Sequence, residues 1–169
     1  MSKILSIDYT KCHGCRECER ACSLMAQIHA DGTQPRITCF TFELEGKGIP
    51  IACQHCQDAP CMAACPKSAI YRDEKLNRIM VNYDRCIGCR MCIAVCPFGA
   101  MNFDNESRRV IKCDLCDGDP LCAKLCSYGA LLYIDASEQS TVKKRETADK
   151  LREMIPGMEI EAHTKLVWW

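Results

Sequence analysis

The chain has 169 residues with 22 lysines and arginines against 22 aspartates and glutamates, so its net charge gives no argument for nucleic acid or an anionic membrane surface as partner. No run of about eighteen apolar residues occurs, and no transmembrane helix is expected. Seventeen cysteines are the anomaly, a density that belongs either to a small secreted disulfide scaffold or to a metal-bearing protein.

Residues 1–9 carry a lone Lys3 and a short Ile4-Leu5 pair without the long apolar core of a secretory signal. The cytoplasm is therefore the expected compartment, and a disulfide framework is the weaker reading of the cysteines. Ile4-Leu5-Ser6-Ile7 reads as a strand feeding a first nest, Cys12, Cys15, Cys18 and Cys22. Gly14 stands where a tight loop gains from a residue without a side chain. Ser23 follows the fourth cysteine, so residues 19–30 continue as a helix with Ala21, Leu24, Met25 and Ile28 on its buried face. Asp31-Gly32-Thr33-Gln34-Pro35 is a turn signal, and Arg36 to Leu44 is a β-branched and aromatic strand. Cys39, inside it, has no partner at ligand spacing and reads as a small buried residue, a redox or ligand role being the alternative. Gly46-Lys47-Gly48 breaks this strand, and Ile49 to Ala52 leads to a second nest, Cys53, Cys56, Cys61 and Cys65, closed by Pro66.

Residues 69–73 and 78–82 form a hairpin around Glu74-Lys75-Leu76-Asn77 and deliver the chain to a third nest. Cys86, Cys89, Cys92 and Cys96, followed by Pro97, have the bacterial ferredoxin spacing for cubane iron–sulfur clusters. Three thiolates two residues apart need a loop curled around one cluster, so that successive sulfurs reach separate irons. Pro97 lacks a backbone donor and turns the fourth ligand away, and in two-cluster ferredoxins that fourth cysteine serves the other cluster. A second hairpin, residues 100–103 and 108–112, leads to a fourth nest, Cys113, Cys116, Cys122 and Cys126, with Ser127 in place of proline. Residues 130–134 close as a strand. The pattern of strand, cluster loop, short helix and returning strand thus occurs four times and takes up sixteen of the seventeen cysteines. Beyond Ala136, Val142, Ala148, Leu151, Met154 and Ile155 recur near helical spacing up to Pro156-Gly157. The apolar end, Leu166-Val167-Trp168-Trp169, either folds back or docks on a partner.

Four thiolates per nest give fully ligated [4Fe-4S] clusters with no iron open to substrate, which is the requirement of electron transfer; a zinc-binding interaction module is the alternative from another class. The chain has no Gly-rich phosphate loop, no His-Glu-x2-His and no nucleophile motif, and His13, His29, His55 and His163 are scattered, so no catalysis is expected. His55 reads as a solvent-facing loop residue, with a hydrogen bond to a cluster sulfur as the other reading. Arg16, Arg85, Arg90, Lys112 and Lys124 stand beside ligands, either as counter-charges or as solvated surface. Ile87, Ile93, Val95, Met62 and Leu125 are expected to exclude water from the nests.

These four ordered nests resemble the four-cluster, ferredoxin-like iron–sulfur subunits of molybdenum or tungsten oxidoreductases, hydrogenases and carbon monoxide dehydrogenases. The resemblance covers Met1 to about Ile134. In size the chain is similar to the electron-transfer subunits of formate dehydrogenase, formate hydrogenlyase and tungsten aldehyde oxidoreductase. The resemblance implies an α+β fold of two pseudo-symmetric dicluster modules, an outer one of residues 1–48 and 104–135 and an inner one of 49–103. Residues 136–169 would be a C-terminal helix and partner-docking tail. It also implies four [4Fe-4S] clusters with crossed ligation. Cys12, Cys15 and Cys18 would share a cluster with Cys126, and Cys113, Cys116 and Cys122 with Cys22. Cys53, Cys56 and Cys61 would take Cys96, and Cys86, Cys89 and Cys92 would take Cys65. The implied function is a wire between a catalytic subunit, a tungsten enzyme first, and a second redox protein; a free-standing soluble polyferredoxin is the alternative. Lacking proline after Cys22 and Cys126, the outer nests depart from the family pattern.

Overall fold

The computed structural model describes residues 3–28 and 34–154, side chains at 142, 146 and 149–154 excepted. The expected turn at 31–33, Pro156-Gly157 and the Trp168-Trp169 tail lie outside the described residues. Two units form, Met1–Asp135 and Ala136–Trp169.

In the first unit the N-terminal strand β1 (Lys3–Ile7) pairs antiparallel with β8 (Leu131–Asp135), Ile7 opposite Leu131. Side chains alternate across a strand, so Leu5 and Ile7 turn inward with Leu131, which is 1% exposed. Three hairpins fill the interval: β2 (Thr38–Phe42) with β3 (Lys47–Ile51), β4 (Ile70–Asp73) with β5 (Arg78–Val81), and β6 (Met101–Asp104) with β7 (Arg109–Lys112). The last two share a turn chemistry. Asp73 accepts from the Lys75 N–H at 3.1 Å, Asp104 accepts from those of Glu106 and Ser107 at 3.2 and 3.1 Å, and both turns end on a left-handed residue, Asn77 or Arg108. Each nest also has its helix: α1 (Glu17–Ile28) and the single turns α2 (Pro60–Ala63), α3 (Met91–Ala94) and α4 (Leu121–Lys124). The result is the expected α+β arrangement of short hairpins and short helices.

Two details differ from the sequence reading. Gly46 and Gly48 do not end the β-structure; Gly46, at φ 59°, turns it back, and the Ile49-Pro50 segment is strand β3, with Pro50 opposite Cys39. On α1 the inward face is Cys18, Glu19, Ala21 and Ala26, while Leu24 and Ile28 are 51% and 65% exposed. The cysteines themselves form the buried stripe at i, i+4 spacing, and only small residues fit beside them.

The buried side chains fall into two cores. One gathers Leu5, Ile7, Ile37, Ala52, Leu115 and Leu131; the other gathers Ile70, Ile79, Val81, Met101 and Val110. These residues exclude water, whereas Ile87, Met62 and Leu125, expected in that role, are exposed. In the second unit α5 (Ala136–Met154) is a polar helix. Among the described residues no helix is long and apolar enough to cross a membrane.

Candidate metal centres

Each nest begins as a loop that must reverse within three residues. The residue before the second cysteine is left-handed in all four: Gly14 at φ 73°, His55 at 47°, Gly88 at 66° and Leu115 at 58°. Glycine takes this conformation without strain, and the other two are held in it by their surroundings. The third cysteine then sits on a helix (Cys18, Cys61, Cys92, Cys122), and the fourth, still within α1 for Cys22 and two residues past the helix for Cys65, Cys96 and Cys126, lines a different pocket.

The sixteen expected ligands line four pockets. Cys86, Cys89 and Cys92 face Cys65 across about 370 Å³. Cys12, Cys15 and Cys18 face Cys126 across about 340 Å³. Cys113, Cys116 and Cys122 share about 340 Å³ with Cys22, and Cys53, Cys56 and Cys61 share about 350 Å³ with Cys96. Each of the four spaces thus draws three cysteines from one nest and one from another, and the second also has Cys39 in its wall. All seventeen cysteines are free thiols, so no disulfide framework forms.

Burial keeps the thiols protonated until metal replaces the protons. It pushes Cys18 and Cys92 up to about 11 and Cys113 to about 12, and Cys122 upward as well. Metal uptake at these sites therefore releases protons. Cys65 is held below the ordinary thiol value, because N–H donors from Ala69, Lys67 and Ile70 outweigh its desolvation. Backbone N–H groups reach three sulfurs directly: Arg36 to Cys22 at 3.1 Å, Ala69 to Cys65 at 3.2 Å and Leu115 to Cys113 at 3.4 Å.

Several residues with a part in these sites carry no spacing signal. Glu19, 8% exposed, accepts from the Cys39 N–H at 2.7 Å and from Arg16 at 2.5 Å, which ties α1 to β2 behind the first pocket. Cys39 is buried as expected, but its Sγ lies 4.0 Å from that of Cys12 and forms part of the pocket wall. His55 does not face solvent. Its Nδ1 accepts from the Ile79 N–H at 2.9 Å, and its Nε2 is buried with no hydrogen-bond partner among the described residues. Burial, then the charges of Lys112, Arg78 and Arg72, push its pKa down to about 3, so the ring is neutral with its proton on Nε2. Its loop position, the one glycine occupies in two other nests, points the ring inward.

Gly48 binds the first nest from β3, donating its N–H to the Cys12 carbonyl at 3.0 Å. A Cβ there would meet Gly14 Cα at 2.6 Å, Gly14 N at 2.7 Å and Cys12 Sγ at 2.9 Å, and backbone cannot yield as a flexible side chain does. Gly48→Ala is expected to cost about 1–3 kcal/mol of stability through overpacking and to loosen the pocket of Cys12, Cys15, Cys18 and Cys126. A thermal melt and an iron assay check this; unchanged values in both would show that the loop can move aside.

Residues 44–136 match the 4Fe-4S dicluster domain family, and residues 9–26 match a 4Fe-4S binding domain. The chain is 37% identical over 106 residues to formate hydrogenlyase subunit 2 of Escherichia coli (strain K12), covering 63% of this chain and 50% of that protein. It is 38% identical over 127 residues to the putative electron transport protein YsaA of the same organism, covering 67% and 75%. The chain thus spans half the length of the first of these relatives. Among solved structures it is similar to the active-site complex BamBC of benzoyl coenzyme A reductase as isolated, at 22% identity and TM-score 0.45 over 90% of this chain and 95% of that one.

Proposed function

The chain belongs to the family of 4Fe-4S dicluster domains, and from that premise we propose that it is a non-catalytic electron-transfer subunit holding four [4Fe-4S] clusters. The observation that carries the reading is the set of four pockets, each bringing together three cysteines of one nest and the fourth cysteine of another. The ligand sets are Cys12, Cys15, Cys18 and Cys126; Cys22, Cys113, Cys116 and Cys122; Cys53, Cys56, Cys61 and Cys96; and Cys65, Cys86, Cys89 and Cys92. The outer module comprises residues 1–48 and 104–135 and the inner one residues 49–103, with β7 lending Val110 to the inner core.

Bound there, each cluster supplies one-electron redox chemistry with no iron open to substrate. Packing of the elements supports a linear order of the sites: α2 lies against α3, α1 lies against α4, and Lys112 joins the two pairs by reaching Ile79 at the Cys53 pocket and Cys113 at the next. The two end quartets contain the exposed cysteines, Cys89 at one end and Cys15 at the other. An electron path therefore has two ends open to partners. One partner is a larger tungsten or molybdenum oxidoreductase, as the family resemblance suggests, and the other a second redox protein; the tail beyond residue 154 is the docking segment.

The test is anaerobic purification with iron and sulfide analysis. About sixteen of each per chain, with broad visible absorption, is the expected result. Tightly bound zinc without that absorption would overturn the reading.

A further inference from the structure

The lysines and arginines directly next to a ligand cysteine are Lys11, Arg16, Arg85, Arg90 and Lys112, and of these only Lys112 is buried. Lys11, Arg16, Arg85, Arg90 and also Lys124 are exposed, and Lys112 is 4% exposed. It ends β7 immediately before Cys113. Its ammonium donates to the Ile79 carbonyl, in the inner core, and to the Cys113 carbonyl at 2.7 Å, at the outer quartet. No carboxylate pairs with it among the described residues. The nearby Arg78 differs, since Asp73 at 2.8 Å and Asp117 at 2.7 Å neutralise it. Arg72 caps the Cys56 and Gln57 carbonyls from a half-buried position.

A buried ammonium with only neutral acceptors is costly, and such a charge persists where an opposite charge lies close by. To either side of Lys112 lie two cysteine quartets, which become thiolates when metal is bound. Ile79, whose carbonyl Lys112 holds, lines the pocket of Cys53, Cys56, Cys61 and Cys96, and Cys113, whose carbonyl it also holds, lines the pocket of Cys22, Cys116 and Cys122.

We infer that Lys112 is the shared counter-charge of the two central clusters, a positioning residue that raises both of their reduction potentials and so eases the electron's passage between modules. The inference rests on the four-cluster reading. A positive charge stabilises the more negative, reduced form, so its removal lowers the potential.

The experiment is a potentiometric titration followed by electron paramagnetic resonance on the wild-type protein and on Lys112→Met, Lys112→Gln and Lys112→Arg. Each preparation is assayed for iron first. Failure of the wild type to carry iron and sulfide would sink the four-cluster reading itself, independently of Lys112. With loaded wild type, both neutral variants are expected to lose at least tenfold in the reduction equilibrium of two clusters, about 59 mV for one electron. The other two should hold their potentials, and Lys112→Arg should keep all four. Neutral variants that take up no iron while Lys112→Arg loads fully at wild-type potentials would support the inference in a stronger form. It is overturned by unshifted potentials in a loaded neutral variant, by an equal shift of all four clusters, by iron lost in Lys112→Met and regained in Lys112→Gln at wild-type potentials, or by failure of all three variants to load.

Discussion

Replacing Cys96 with alanine is expected to remove the cluster of the preceding nest and spare that of its own. Cys96 follows α3, which carries Cys92, yet its sulfur lines the space shared by Cys53, Cys56 and Cys61, while Cys65 lines the space of Cys86, Cys89 and Cys92. Cys126, followed by Ser127, leaves α4 with the same pair of backbone bonds that Cys96 makes, so the direction is set by the turn, and Pro97 only suits it. Iron should fall from about sixteen to between about twelve and fifteen per chain, according to whether the damaged cubane loses one iron or all four. Iron counts alone do not say which cluster has gone, but non-additivity does. Cys53→Ala added to Cys96→Ala should cost little more, because both act on one cluster. Cys86→Ala added to Cys96→Ala should cost a second cluster. The reverse pattern would show that each nest keeps its own fourth ligand.

Removing the iron should unfold residues 1–135. Of the large aliphatic core side chains only Ile79, Val110, Leu115 and Leu131 are as little as 1% exposed, and cysteine fills part of both cores: Cys12, Cys18, Cys39, Cys113 and Cys122 in one, Cys92 in the other. The sheets are four isolated pairs of strands, each four or five residues long, and lone hairpins are at best marginal in water. Metal binding in small metal-dependent folds is worth on the order of 10 kcal/mol, as much as the whole stability of an ordinary domain. Anaerobic chelation should therefore abolish the far-ultraviolet circular dichroism of the strands together with the visible absorption of the clusters. Native dichroism and protease resistance after complete iron loss would mean that the apolar cores suffice alone.

Much of this architecture is legible in the sequence because its constraints are local. Cysteine spacing marks the nests, and the turn residues after Asp73 and Asp104 mark two hairpins. Other features depend on contacts between distant residues. The Gly46-Lys47-Gly48 segment looks like the end of a strand because the partner that makes it a turn, β3, contains Pro50, and proline ordinarily counts against a strand. Periodicity points to Ala21, Leu24, Met25 and Ile28 as the inner face of α1, and Leu24 and Ile28 turn out exposed because the usual hydrophobic pattern does not count Cys18 as the buried position. His55 and Lys112 look like surface residues, since nothing near them in sequence reveals the Ile79 backbone that each of them meets.

The antiparallel pairing of β1 with β8 bears on the order in which the protein is made. Cys12, Cys15 and Cys18 leave the ribosome early, but their pocket is not closed until Cys126 has emerged and Leu131–Asp135 has paired with Lys3–Ile7. At about 5–20 residues per second, that wait is on the order of ten seconds. The two inner quartets, complete once Cys96 is out, can take up metal during it. The first nest translated is thus among the last that can be filled, and its three waiting thiols are open to oxidation for the longest time.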